Sequence, residues 1–122
     1  MDQVATLEFV NLAFKDGINV TVRNGDKWLH RVKPGDRVLL AETGKAPLWD
    51  AQNRVLGVLY GSLDEIPSAV LKFEHDPACR TKKGLARVLD EIYGPAPHNH
   101  RMVTVIMWVR DTRQGAGPWG SD

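Results

Sequence analysis

Gly17-Ile18-Asn19-Val20-Thr21-Val22-Arg23 is the stretch on which the fold turns. Ile18, Val20 and Val22 alternate in it with Asn19, Thr21 and Arg23. Successive side chains of a strand point to opposite faces, so this pattern predicts one packed face and one polar face. The polar side, Asn19, Thr21 and Arg23, is the expected working surface. Asn24-Gly25 follows as a strong turn signal.

Working outward, residues 7–14 predict a first strand carrying Leu7 and Phe9, ended by the Lys15-Asp16-Gly17 turn. Downstream, Asp26 is expected to cap a short helical turn over residues 27–31. Lys33-Pro34-Gly35-Asp36 then makes a turn into a strand over residues 37–41. A polar loop containing Gly44, Pro47, Trp49 and Asn53 leads to a strand over residues 54–63, whose Gly57 and Gly61 predict a bulge, a tight bend or a close backbone approach.

Ile66, Ala69, Val70 and Phe73 recur at helical spacing, with Pro67 in the first turn and a stop expected near Asp76-Pro77. Leu85, Val88, Leu89 and Ile92 form a second helical stripe, ended by Gly94-Pro95. Residues 102–109 are apolar on both faces except at Thr104, as expected of a central strand. Strands around two adjacent helices predict an α+β fold: a small β-barrel or strongly curled mixed sheet with both helices packed on it. One domain is expected over residues 1–113, with a flexible, glycine-rich tail over residues 114–122 around Trp119.

The totals restrict function more than they define it. A chain of 122 residues suits one core, and its net charge of +1, from 16 Lys and Arg against 15 Asp and Glu, gives no field for strong non-specific nucleic-acid binding. Cys79 is the only cysteine, which excludes an intrachain disulfide and any multi-cysteine metal site. Neither a leader nor an apolar run of membrane-spanning length is evident, so a cytoplasmic protein with no membrane partner is expected, of bacterial or phage origin. No Walker or dinucleotide loop is present, and Gly57-Val58-Leu59-Tyr60-Gly61 is too generic to replace one. The spacing of His75, His98 and His100 matches no established metal site. No metal or cofactor is implied.

The first stretch, followed by Val32-Lys33-Pro34-Gly35-Asp36-Arg37-Val38-Leu39-Leu40, resembles the ASCH family of PUA-like barrels. That family carries a glycine-lysine strand ending in a threonine or glutamate and, two residues on, an arginine, with a Gly-Asp turn opening the next strand. The segment from Leu85 to Gly94, and then His100-Arg101-Met102-Val103-Thr104-Val105, is similar to the helix and closing strand of its small bacterial members. The resemblance spans most of residues 7–109. It implies a cleft that receives a nucleotide, with Thr21 and Arg23 at the positions of the family pattern. One branch hydrolyses N4-acetylcytidine with a lysine and a threonine of this strand and a glutamate elsewhere. Here either Ile18 stands in the place of the lysine or a one-residue gap lies near Gly17, which leaves Lys15 as the nearest amine, and Glu74 is the nearest carboxylate to the expected acid.

Three readings follow. In the first, the domain recognises RNA or a modified nucleoside, with DNA as a further ligand. Asn19, Thr21 and Arg23 then line the pocket, Lys27 and Arg31 steer phosphate, and Trp28 stacks on a base. In the second it is an amidohydrolase of an acylated nucleoside using Thr21, Lys15 and Glu74, which requires a base to take the threonine proton. The third is a small interaction module that inhibits a host protein through Trp49, Trp119 or the exposed barrel face. Arg80, Lys82, Lys83 and Arg87 form a second basic set around the second helix.

Overall fold

The computed structural model describes residues 4–112, so the expected tail lies outside the described residues. Five strands form: β1 (Ala5–Phe9), β2 (Gly17–Asn24), β3 (Val38–Glu42), β4 (Gln52–Ser62) and β5 (Met102–Asp111). Two α-helices, α1 (Ser68–Leu71) and α2 (Lys82–Tyr93), complete a mixed α+β fold with short 3-10 turns between elements.

β2, β5 and β4 make an antiparallel sheet with β5 in the centre, whereas β1 and β3 pair in parallel as a second sheet. No closed barrel forms among the described residues. The two sheets meet at a corner where Arg37 bridges Arg54 and Val55 exchanges backbone bonds with Gly35 and Asp36. A bulge between Val55 and Gly57 bends β4 there, as the glycine predicts.

β5 explains the architecture, because both of its faces are covered. Val103 and Val105 join Val20, Leu63, Leu71, Leu85, Ala86 and Leu89 in one apolar cluster, which seats α2 on the sheet. On the opposite face Ile106 and Trp108 pack with Leu7, Phe9, Val32, Val38, Leu40 and Val55, so the β1–β3 layer covers that side.

Several boundaries differ from the expectation. β1 ends at Phe9, and residues 10–16 run without regular structure. Asn53 belongs to β4 and not to the preceding loop. Asp26 gives no side-chain cap to the 3-10 turn at Lys27–His30.

The largest departure is the expected helix before Asp76-Pro77, which shrinks to the single turn of α1. Phe73 C=O accepts from Val20 N–H (2.8 Å), and His75 N–H donates to Val20 C=O (2.9 Å). Residues 73–75 thereby become a short parallel partner of β2 with Val20 opposite Glu74. Of the expected α2 stripe, Leu85 and Leu89 are buried and Val88 packs against the same cluster, while Ile92 is exposed and Ala86 is buried in addition.

Candidate functional site

The register of β2 against β5 decides where the polar strand face goes. Asn19 lies opposite Trp108, Thr21 opposite Ile106 and Arg23 opposite Thr104, which puts all three on the side of the β1–β3 layer. This face is an interior wall and not an open surface: Asn19 and Thr21 are both buried.

Asn19 is spent on structure. Its side chain accepts from Lys15 N–H (3.2 Å) and donates to Lys15 C=O (2.7 Å), pinning the irregular segment ahead of β2. Thr21 Oγ1 instead accepts from Arg23 Nε (3.2 Å). The Arg23 guanidinium lies 4.6 Å from the centre of the Phe9 ring and 5.9 Å from that of Trp28. Burial pulls its pKa below the ordinary arginine value, while the charge of Glu74, and then of Tyr93 and Glu8, acts in the opposite direction. An arginine keeps its charge under these conditions. Arg23 Nη2 is buried without a hydrogen-bond partner among the described residues, as is Trp108 Nε1.

Residues 73–75 deliver the second half of the site. Glu74 Oε1 approaches His75 Nδ1 at 2.6 Å and also accepts from Asp76 N–H (3.0 Å). Arg80 Nε holds the Glu74 carbonyl at 2.9 Å. The His75 imidazole meets the Phe9 ring at 4.7 Å and the Phe14 ring at 5.5 Å, and both phenylalanines contact Trp108. Phe9 therefore touches Arg23 on one side and His75 on another. An imidazole and a guanidinium meet one aromatic cluster, and each carries a further polar group, the Glu74 carboxylate on His75 and the Thr21 hydroxyl on Arg23.

The structure brings Thr21, Arg23 and Glu74 into this cluster and places Trp28 at its margin. It does not bring in Lys15, whose ammonium lies 5.6 Å over the Phe73 ring on an exposed segment. Lys27 and Arg31 are exposed; Arg31 stacks 5.3 Å from the centre of the Trp28 ring. Trp28 and Arg31 also line an open groove of about 410 Å³ with Val4, Ala5 and Thr6.

His75, Phe9 and Phe14 are the members that sequence reasoning did not place here. Only the proximity of His75 to Glu74 in the chain hinted at a pair, since the β2 contact that positions both is long-range. Among the described residues no group of three or more His, Cys, Asp or Glu could hold a metal ion, and no helix is long and apolar enough to cross a membrane. No family model, curated protein or solved structure matches the chain.

Proposed function

We propose that the chain is a small ASCH-like, PUA-related domain that recognises a modified nucleoside or an RNA feature through Arg23 and Thr21. One observation carries this reading: Arg23 is a largely buried cation packed on aromatic rings, and its Nη2 has no acceptor among the described residues. Leaving a buried charged donor unpaired costs a few kcal/mol, so such a group favours a ligand that brings its own acceptor. A base carbonyl or a phosphate oxygen fits the planar guanidinium fork. Trp28 offers a stacking face, and Arg31 and Lys27 lie on the exposed side where a phosphate would extend.

The test is equilibrium binding of N4-acetylcytidine, cytidine monophosphate, single-stranded RNA and single-stranded DNA to the wild type, Arg23→Ala and Lys27→Ala. Arg23→Ala should abolish measurable affinity, and Lys27→Ala should flatten the salt dependence of RNA binding. Unchanged affinity in both variants, or no binding by the wild type, sinks the reading.

A second reading, hydrolysis of an acylated nucleoside, is favoured by the bridge between Val20 and Glu74, which lays a buried carboxylate against the strand of Thr21. The Lys15 amine lies 5.6 Å over the Phe73 ring and makes no hydrogen bond to Thr21 among the described residues. Deacetylation of N4-acetylcytidine, followed by absorbance, checks this reading; turnover that survives Thr21→Ala removes Thr21 from it.

A further inference from the structure

Glu74 and His75 form a buried pair that recognition alone does not use. Their geometry fixes which ring nitrogen is free. Nδ1 faces two acceptors, Glu74 Oε1 at 2.6 Å and the Val20 carbonyl at 3.4 Å. An imidazole nitrogen flanked by a carboxylate and a carbonyl carries the hydrogen, so in the neutral ring Nε2 holds the lone pair. Nε2 has no hydrogen-bond partner among the described residues.

Thr21 is the hydroxyl beside it. Val20 bonds to Phe73 and to His75 through its N–H and C=O, so the next residue of β2, Thr21, flanks His75 across the same parallel pairing. Both residues reach the Phe9 side of the sheet, His75 directly and Thr21 through Arg23. A hydroxyl has one proton to give, and the contact Thr21 Oγ1 makes with Arg23 uses it as an acceptor. Its own O–H is left to donate. The two side chains are not hydrogen-bonded to each other, a contact that catalytic pairs often make only with substrate bound.

We propose that His75, oriented by Glu74, is the general base that activates Thr21 for acyl transfer, taking the role for which position 18 offers no amine. This rests on the hydrolytic reading above and names the residue that reading lacks. The substrate class is an acyl group carried on an exocyclic amine or an ester oxygen. His75 Nε2 accepts the Thr21 proton as Oγ1 bonds to the acyl carbon, and Arg23 Nη2 donates to the oxyanion that forms. The carbon–nitrogen or carbon–oxygen bond then breaks, and the leaving group takes the proton from His75. Water next attacks the acyl-Thr21 ester, passes a proton to His75 Nε2, and releases the carboxylic acid as Oγ1 recovers its proton. Glu74 touches no reacting atom; it is a positioning residue that fixes the ring tautomer.

The experiment uses the full chain with N4-acetylcytidine and p-nitrophenyl acetate, in parallel with binding of cytidine. Thr21→Ala and His75→Ala should each lower kcat by roughly 10²–10⁴-fold, and the double variant should lose little more, because the two act as a unit. Added imidazole should restore part of the His75→Ala rate and none of the Thr21→Ala rate. Glu74→Gln should lower kcat with little change in KM. His75 is buried, so its variant could fail to fold; acid-quenched wild type incubated with the ester should then carry one acetyl group on Thr21 by peptide mapping. Nucleoside binding without turnover overturns the proposal and leaves recognition standing. Turnover indifferent to His75→Ala, or an acetyl group on a different residue, overturns it and leaves hydrolysis standing. A wild type that neither binds nor turns over overturns this proposal together with the recognition and hydrolytic readings.

Discussion

Arg23 Nε is 3.2 Å from Thr21 Oγ1, and the same guanidinium lies 4.6 Å from the centre of the Phe9 ring, so one side chain ties the hydroxyl of β2 to the aromatic lining of the interior. This contact is a compromise. Stacking and one hydrogen bond compensate a desolvated cation only in part, since Nη2 finds no acceptor among the described residues. Arg23→Met should therefore leave thermal stability unchanged or slightly raised while abolishing ligand binding. Arg23→Lys should weaken binding by roughly 10- to 100-fold, because a point charge cannot reproduce the fork. Calorimetric titration alongside a thermal melt checks both. A large stability loss in Arg23→Met would mean that the side chain is a structural strut.

How far the site was legible follows from the kind of contact that builds it. The alternation in β2 is local, and both its extent and its two-faced character were readable from Ile18, Val20 and Val22. Period two cannot say which face turns inward, and pairing with Trp108 and Ile106 buries the polar one. The central position of β5 was readable because an apolar run on both faces requires two covering layers. His75 left no such mark. Its place depends on residues 73–75 leaving the helical pattern to pair with Val20, more than fifty residues away in sequence. Helical periodicity in Ile66, Ala69, Val70 and Phe73 pointed the other way, and the long-range pairing overrode it.

Gly84 offers a sign test for local packing. In a helix interior, replacing glycine with alanine ordinarily stabilises by about 1 kcal/mol. Here a Cβ at Gly84 would lie 2.2 Å from the Ala78 carbonyl oxygen and 3.1 Å from Thr81 Oγ1, the hydroxyl that caps α2 by accepting from Gly84 N–H. The obstacle is backbone, so it has little freedom to yield. Gly84→Ala should destabilise by roughly 1–3 kcal/mol in a urea melt, as overpacking does. A gain in stability would show that the 3-10 turn at Pro77–Cys79 moves freely against α2.

Cys79 should be silent to thiol reagents in the folded state. Burial raises its pKa to about 12, with the charges of Glu74 and Asp76 adding to the effect. The thiolate is the reactive form, so a disulfide reagent at neutral pH should react only on unfolding. The raised value also has a sign in stability. Above the unfolded thiol pKa of about 8.5, the unfolded chain releases a proton that the folded chain keeps. Stability should therefore fall as pH rises from there towards about 12. Cys79→Ala should remove this part of the alkaline slope, and an unchanged slope would assign it to other groups.

Arg101 joins the end of β2 to the end of α2, and the two members of its ion pair are not equally buried. Its guanidinium donates to Asn24 Oδ1 (3.2 Å), to Asp90 Oδ1 (3.0 Å) and to the Gly94 carbonyl that closes the helix. The Arg101 side chain is 6% exposed, whereas that of Asp90 is 37% exposed. Removing the aspartate strands a buried cation with neutral acceptors only, and removing the arginine returns a carboxylate to water. Breaking a buried pair costs about 3–5 kcal/mol when the remaining charge is left uncompensated, and partial exposure of Asp90 brings the expected cost of Asp90→Ala to roughly 2–3 kcal/mol. Arg101→Met, which keeps apolar volume in the same place, should cost less. Denaturant melts of both single variants and of the double variant give the coupling between them. The reverse order, with Arg101→Met the more damaging, would locate the stabilisation in the Asn24 and Gly94 contacts and not in the ion pair.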